Sequence, residues 1–160
     1  MPPQYPHTNF NVVLIEPEIP NNTGNIGRTC VGNYCQLHLV GKLGFEISDK
    51  QLRRAGLDYW QHLIWHHHQT FEQWWSLVED PSRVFFFSKK AERGLYEAEF
   101  RQGDWLVFGK ETKGLDEALL SKFHPHTVKI PFEGPIRSLN LASAVAVGVY
   151  EGLRQIWQRE

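Results

Sequence analysis

The chain has 160 residues, 41% hydrophobic and 22% charged, with a formal net charge of −1. That balance describes one globular domain over residues 1–160 and excludes a disordered polymer, a collagen-like repeat or a strongly basic nucleic-acid wrap. No apolar run approaches the ~20 residues that cross a bilayer, and Met1 to Pro6 has neither a basic nor an apolar leader pattern.

The first strand is expected at Asn11–Ile15, a continuous apolar run closed by Glu16-Pro17. Similar runs follow at Leu37–Val40, Leu63–Trp65, Val84–Phe87, Trp105–Phe108 and Thr127–Ile130. Helices are expected between them at Asn22–Asn33, Lys50–Ala55, Thr70–Val78 and Asp116–Lys122, with a last one over Leu139–Gln158. Unbroken apolar strands alternating with helices predict an α/β fold, a mostly parallel sheet with helices on both faces. The last helix is rich in small residues (Ala142, Ser143, Ala144, Ala146, Gly148, Gly152) and apolar around most of its circumference. Such a helix is buried on more than one side, either by core packing alone or with one face on the sheet and the other against a second subunit.

Cys30 and Cys35 form no CxxC pair and read as reduced thiols of a cytoplasmic protein. His66-His67-His68 invites a metal reading, but consecutive side chains diverge along a strand, so no metal site is expected there. Trp74-Trp75 and Phe85–Phe87 read as core aromatics in preference to base-stacking platforms. Arg53-Arg54, Lys89-Lys90 with Arg93, and Lys110 with Lys113 are local positive clusters on an otherwise near-neutral chain.

Chemistry is expected in three loops, each leaving the carboxyl end of a strand, where open α/β sheets bind ligands. Glu16–Arg28 enters the first helix, with Asn21 or Asn22 as its cap and free amides that suit a phosphate near Arg28. In Phe108–Leu115, Gly109 is expected to let backbone approach a flat ligand, Glu111 to orient a loop or ligand, and Gly114 to make a turn. Ile130–Asn140 is stiffened by Pro131 and Pro135, with Ser138 as the expected cap of the last helix. The dinucleotide fingerprint G-x-G-x-x-G is absent, which opposes a nicotinamide oxidoreductase.

The ordered set N-N-T-G-N-I-G-R (21–28), F-G-K-E-T-K-G-L (108–115) and I-P-F-E-G-P-I-R-S-L-N-L (130–141) resembles the three signature motifs of SPOUT-superfamily RNA 2′-O-ribose methyltransferases. Leu52–Tyr59 is similar to the short branch that methylates the wobble cytidine or uridine 34 of leucine tRNAs. The resemblance implies a C-terminal trefoil knot, a homodimer whose active site is completed across the interface, S-adenosylmethionine as cofactor, tRNA as partner and no metal. It implies a cofactor site of Phe87, Ser88, Gly109, Glu111, Ile130, Ser138 and Leu139, and catalytic residues Arg28, Ser138 and Asn140. A guanidinium with a pKa above ~12 is a poor proton acceptor, so Arg28 suits phosphate alignment and charge stabilisation better than the base role. The rival reading is a non-catalytic RNA- or nucleotide-binding module, which binds RNA without cofactor and transfers nothing.

Overall fold

Why the apolar strands are unbroken is plain from what covers them. A computed structural model describes residues 2–48, 50, 54 and 59–160. The helix expected over Lys50–Ala55, Arg53 and most of the Leu52–Tyr59 segment lie outside the described residues. The strands are β1 Phe10–Ile15, β2 Gln36–Val40, β3 Trp65–His68, β4 Val84–Phe87, β5 Asp104–Phe108 and β6 Thr127–Val128. They form one six-stranded sheet in the order β3-β2-β1-β5-β4-β6, and every pairing between them is parallel.

The helices are α1 Pro20–Gly32, α2 Phe71–Trp75, α3 Glu117–Lys122 and α4 Leu141–Arg159. Strand side chains alternate between faces. Val12, Leu14, Leu37, Leu39, Phe85, Phe87, Leu106 and Phe108 meet Ile26 and Cys30 of α1 and Val145, Val149 and Leu153 of α4. On the opposite face Val13, Val40, Val84, Phe86 and Val107 pack with Trp74 of α2 and with Leu119 and Leu120 of α3. Helices therefore cover both faces. Cys30 and Cys35 are free and buried, and Trp74 and Phe86 are core residues. No described helix is long and apolar enough to cross a membrane.

Small residues on α4 have a packing reason. A Cβ at Gly152 would lie 2.5 Å from the Phe10 ring, and one at Gly148 would lie 3.1 Å from Phe87. The opposite face of α4 carries Val147, Tyr150 and Trp157, the last two 52% and 54% exposed. Val149 belongs wholly to the core.

Two expected elements move. The third strand is Trp65–His68, not Leu63–Trp65, because Trp60–His62 makes a 3-10 turn and Leu63 closes it as a buried plug. The last strand stops at Val128, after which Lys129 makes a single bridge to Gly94.

The shifted strand brings His66 and His68 onto one face beside His38 and sends His67 to the other. His38 Nδ1 and His68 Nε2 share a hydrogen bond of 3.0 Å, His38 Nε2 pairs with Asn11 Oδ1 at 3.2 Å, and His66 Nε2 with Gln36 Oε1 at 3.0 Å. Among the described residues no cluster of three or more His, Cys, Asp or Glu has the geometry to hold a metal ion.

Burial, helped by His66 and His68, pushes the His38 imidazole from 6.5 down to about 3. The unfolded chain takes up this proton near pH 6.5, whereas the native chain refuses it until about pH 3. Stability present above pH 6.5 is therefore lost as the pH falls through that window. The expected slope from this residue is up to about 1.4 kcal/mol per pH unit. Urea unfolding at pH 7 and pH 5 checks it, and His38→Leu should flatten the difference between the two.

Candidate functional site

A cleft of about 500 Å³ opens at the carboxyl ends of β4, β5 and β6, a size suited to a small organic ligand. Its walls come from three stretches: Phe87–Lys90 after β4, Phe108–Glu117 after β5, and Ile130, Phe132, Ser138 and Leu139 after β6, with Leu141 and Ala144 of α4. All seven residues expected to hold a cofactor, Phe87, Ser88, Gly109, Glu111, Ile130, Ser138 and Leu139, line this one cleft. Phe87 and Phe108 stack with ring centroids 4.4 Å apart and give it an apolar wall. Ser88 continues the ladder through its amide to Val128 O at 2.9 Å, while its hydroxyl accepts from Lys90 N at 3.1 Å.

The loops after β1 and β5 are tied together by carboxylates. Glu111 accepts from the amides of Glu18 and Ile19, each at 2.8 Å, and from Asn22 Nδ2 at 3.4 Å. In return Glu18 accepts from Thr112 N at 3.1 Å and Thr112 Oγ1 at 2.8 Å. The Thr112 hydroxyl, then its amide, hold the Glu18 carboxyl below the usual carboxylate range. Lys110 Nζ pairs with Glu16 Oε1 at 3.4 Å. Glu16 itself has φ +50, an uncommon conformation for a side-chain-bearing residue at the very exit of β1. Asn140 extends the network: its Nδ2 donates to Asn22 Oδ1 at 3.2 Å and its Oδ1 accepts from Ser143 N at 3.2 Å.

Several expectations change here. Neither Asn21 nor Asn22 caps α1. Pro20 starts the helix after Ile19, and no side chain of its own caps it. The Glu111 carboxylate sits at that entrance and supplies the negative charge that a helix N-terminus favours. The amides engaged are those of Glu18 and Ile19, just ahead of the helix, and the carboxylate's charge stands where a phosphate would approach the first turn. Starting at Pro20 also puts Arg28 more than two turns into α1, on an exposed face with Asn21 and Asn25.

The cap of α4 is Asn140, not Ser138. Gly109 lacks a Cβ for the sake of its own loop: a Cβ there would lie 2.1 Å from Gly114 C and 2.3 Å from Leu115 N. Gly114, at φ +67, makes the turn that brings that backbone back.

Arg28 and Asn140 do not line the cleft. Asn140 reaches it indirectly through Asn22 and Glu111, whereas Arg28 lies against Tyr59, its guanidinium carbon 4.6 Å from the ring centroid. The sequence reading missed the Asn22 and Glu18 partnerships and the lining by Phe132, Leu141 and Ala144. Only the N-N doublet and the loop acids hinted at the first. Lys89, Lys90, Lys110 and Lys113, noted in sequence as charge clusters, all line the cleft.

The match to known families follows this geometry. The model of the SpoU rRNA methylase family matches residues 9–150, taking in every strand and all three loops. The chain belongs to that family. It is a methyltransferase of the SpoU fold. It is 44% identical over 148 residues to the tRNA (cytidine(34)-2′-O)-methyltransferase of Burkholderia pseudomallei (strain 1106a), covering 91% of this chain and 95% of that relative. It is likewise 44% identical over 152 residues to the enzyme of that name from Saccharophagus degradans, covering 92% and 96%.

Among solved structures, one described as giving structural insights into the 2-OH methylation of C/U34 on tRNA is 48% identical. It superposes with a TM-score of 0.88 over 94% of this chain and 97% of that one. The SpoU methyltransferase AviRb from Streptomyces viridochromogenes, solved in complex with the cofactor AdoMet, is 25% identical with a TM-score of 0.79. That match covers 93% of this chain and 58% of AviRb.

Loss of the Glu111 carboxylate strands two backbone amides at the α1 entrance. Glu111→Ala should lower unfolding stability by about 2 kcal/mol, since hydrogen bonds to a charged group are worth about 1.5–3 kcal/mol. Glu111→Gln should cost less, because one oxygen still accepts. Denaturant unfolding of the two variants checks the order.

Proposed function

We propose that the chain transfers a methyl group from S-adenosylmethionine to the ribose 2′-hydroxyl of the wobble nucleotide, cytidine or uridine 34, of leucine tRNAs. The observation that carries the reading is the convergence of Phe87, Ser88, Gly109, Glu111, Ile130, Ser138 and Leu139 on one cleft. The names borne by relatives at 44% identity support nucleotide 34 as the target, and the AdoMet complex of a SpoU neighbour supports the cofactor. The choice of leucine tRNAs rests on the likeness of Leu52–Tyr59 to the short wobble-modifying branch.

The cleft fits a nucleoside. Phe87, Phe108, Leu115, Leu141 and Ala144 offer apolar surface, and the Ser88 and Ser138 hydroxyls and the loop backbones offer polar groups to an adenine or ribose edge. The bound cofactor supplies a methyl on a sulfonium, a good leaving group, so the protein's task is alignment and proton removal, and no metal is required. Ser138, exposed at the mouth of the cleft, is assigned to ligand contact. Asn140, whose carbonyl caps α4 and whose amide holds Asn22, is assigned to positioning. Arg28 grips a phosphate beside the reacting ribose and stabilises charge developing on the 2′-oxygen, and the proton leaves to a phosphate oxygen or water.

Arg28 is exposed outside its own cleft. That favours a homodimer in which one protomer's α1 faces the other's cleft. The exposed Val147, Tyr150 and Trp157 stripe on α4, the helix packed beside α1, supports the same assembly. The knot belongs to this reading too, as what membership of the family implies; Leu141 and Ala144 of α4 line the cleft together with the β4 and β5 loops. A tRNA substrate supports a cytoplasmic location.

Incubation with tRNA and S-adenosylmethionine, followed by mass spectrometry of the nucleosides, should yield 2′-O-methylcytidine or 2′-O-methyluridine mapped to position 34. RNA binding that ignores cofactor, with no methyl transfer, would instead establish the non-catalytic module. Arg28→Ala should abolish transfer while S-adenosylhomocysteine affinity stays within a few-fold of wild type by calorimetry. Tyr150→Glu or Trp157→Glu should release monomers in sedimentation. Val149 is unsuitable for that test, since a charge in the core unfolds the chain.

A further inference from the structure

We propose that Tyr59 is a positioning residue for Arg28, holding the guanidinium against its ring so that the remaining donors present themselves to a tRNA phosphate. The proposal rests on the Arg28 role given above.

Arg28 projects from the exposed face of α1, where a long side chain left alone samples many rotamers and loses that freedom when it binds. Here it does not stand alone. Its guanidinium carbon lies 4.6 Å from the Tyr59 ring centroid, and Nη2 donates to Tyr59 Oη at 3.2 Å. A guanidinium has five N–H donors in a fixed fork, and this contact uses one of them. A cation–π contact keeps the charge, unlike a carboxylate partner that would neutralise it.

Tyr59 is itself held from behind. It begins the turn Trp60–His62, with His62 N donating to Tyr59 O at 2.8 Å. Trp60 then packs against α1 at Gly27, where an added Cβ would come 3.1 Å from Trp60 Cζ3 and 3.2 Å from Leu63 Cδ2. Trp65 at the start of β3 backs the Trp60 ring at 5.6 Å. Gly27 and Arg28 on one element and Tyr59 and Trp60 on another therefore make a single fitted unit. The glycine admits the tryptophan, and the tryptophan sets its neighbour tyrosine beside the arginine. A residue restrained in this way enters a complex with less ordering left to do.

The test is a double-mutant cycle on tRNA affinity, read by fluorescence anisotropy with the full chain, because binding stays measurable where turnover is lost. Tyr59→Leu should weaken tRNA binding about three- to tenfold, the range of one stacked cation, while S-adenosylhomocysteine affinity and the thermal midpoint hold. Tyr59→Phe, which keeps the ring, should recover most of the loss. In the Arg28→Ala background Tyr59→Leu should change nothing further. If the leucine variant unfolds, Tyr59→Gln takes its place in the cycle.

An equal loss from Tyr59→Leu in both backgrounds would mean that the ring meets RNA directly, and would overturn the proposal. So would tighter binding or faster methylation by Tyr59→Leu, which would mean that the stack parks Arg28 away from its target. Wild-type tRNA affinity in the Arg28→Ala single variant would overturn the Arg28 role itself and this proposal with it, and that variant alone tells the two failures apart.

Discussion

The carboxylate of Glu111 accepts from two consecutive backbone amides, 93 and 92 positions earlier in the chain, and the arrangement of the cleft depends on that clasp. It joins the loop after β1 to the loop after β5, and Glu18 returns the grip through Thr112. Asn22 passes the connection to Asn140, the cap of α4. One chain of hydrogen bonds thus sets the entrance of α1, the rim of the cleft and the start of α4. Such a network is strong because every member has a partner, and removing one member leaves others stranded.

The strand order explains why those loops are neighbours. β5 lies between β1 and β4, so the loop after β5 has the β1 loop on one side and the β4 and β6 loops on the other. A central loop in that position must be thin where it turns. Gly109 allows the backbone of Gly114 and Leu115 to fold back over it, which leaves the outer edge of the same loop, from Lys110 to Lys113, facing the cleft. The glycine serves the ligand by way of the loop's own packing.

What the amino-acid order disclosed, and what it hid, divides by range. Val84–Phe87 and Asn11–Ile15 read as strands because both of their faces are covered and the apolar run is unbroken. The three loops read as site loops because turn residues and polar residues follow strand ends. Trp65–His68 did not, since it is an edge strand with an exposed imidazole row and the apolar Leu63 before it is a plug. The cap of α1 was equally hidden: local rules look for a Ser, Thr, Asp or Asn beside the helix, whereas the charge comes from Glu111. Ser138 and Asn140 are both sound caps by type, and only the fold chose Asn140, through its second bond to Asn22.

That choice bears on where a phosphate is gripped under the proposed activity. A helix N-terminus is a ready anion site, and α1 begins at the mouth of the β1 loop, so its amides look suited to the task. With Glu111 bound to the Glu18 and Ile19 amides at that entrance, an approaching phosphate meets a negative charge. The same carboxylate that fixes the rim of the cleft therefore closes the helix end to anions. A side chain further along has to take over. It must keep its charge at any physiological pH, which disfavours histidine, and hold the phosphate in a fixed geometry, which favours the arginine fork over lysine. Two turns beyond the entrance, on an exposed face, α1 carries Arg28, and Gly27 before it has made room for the residues that hold it. On this argument, structural clasp and substrate grip lie two turns apart along one helix because a single carboxylate cannot serve the first without excluding the second from its own end.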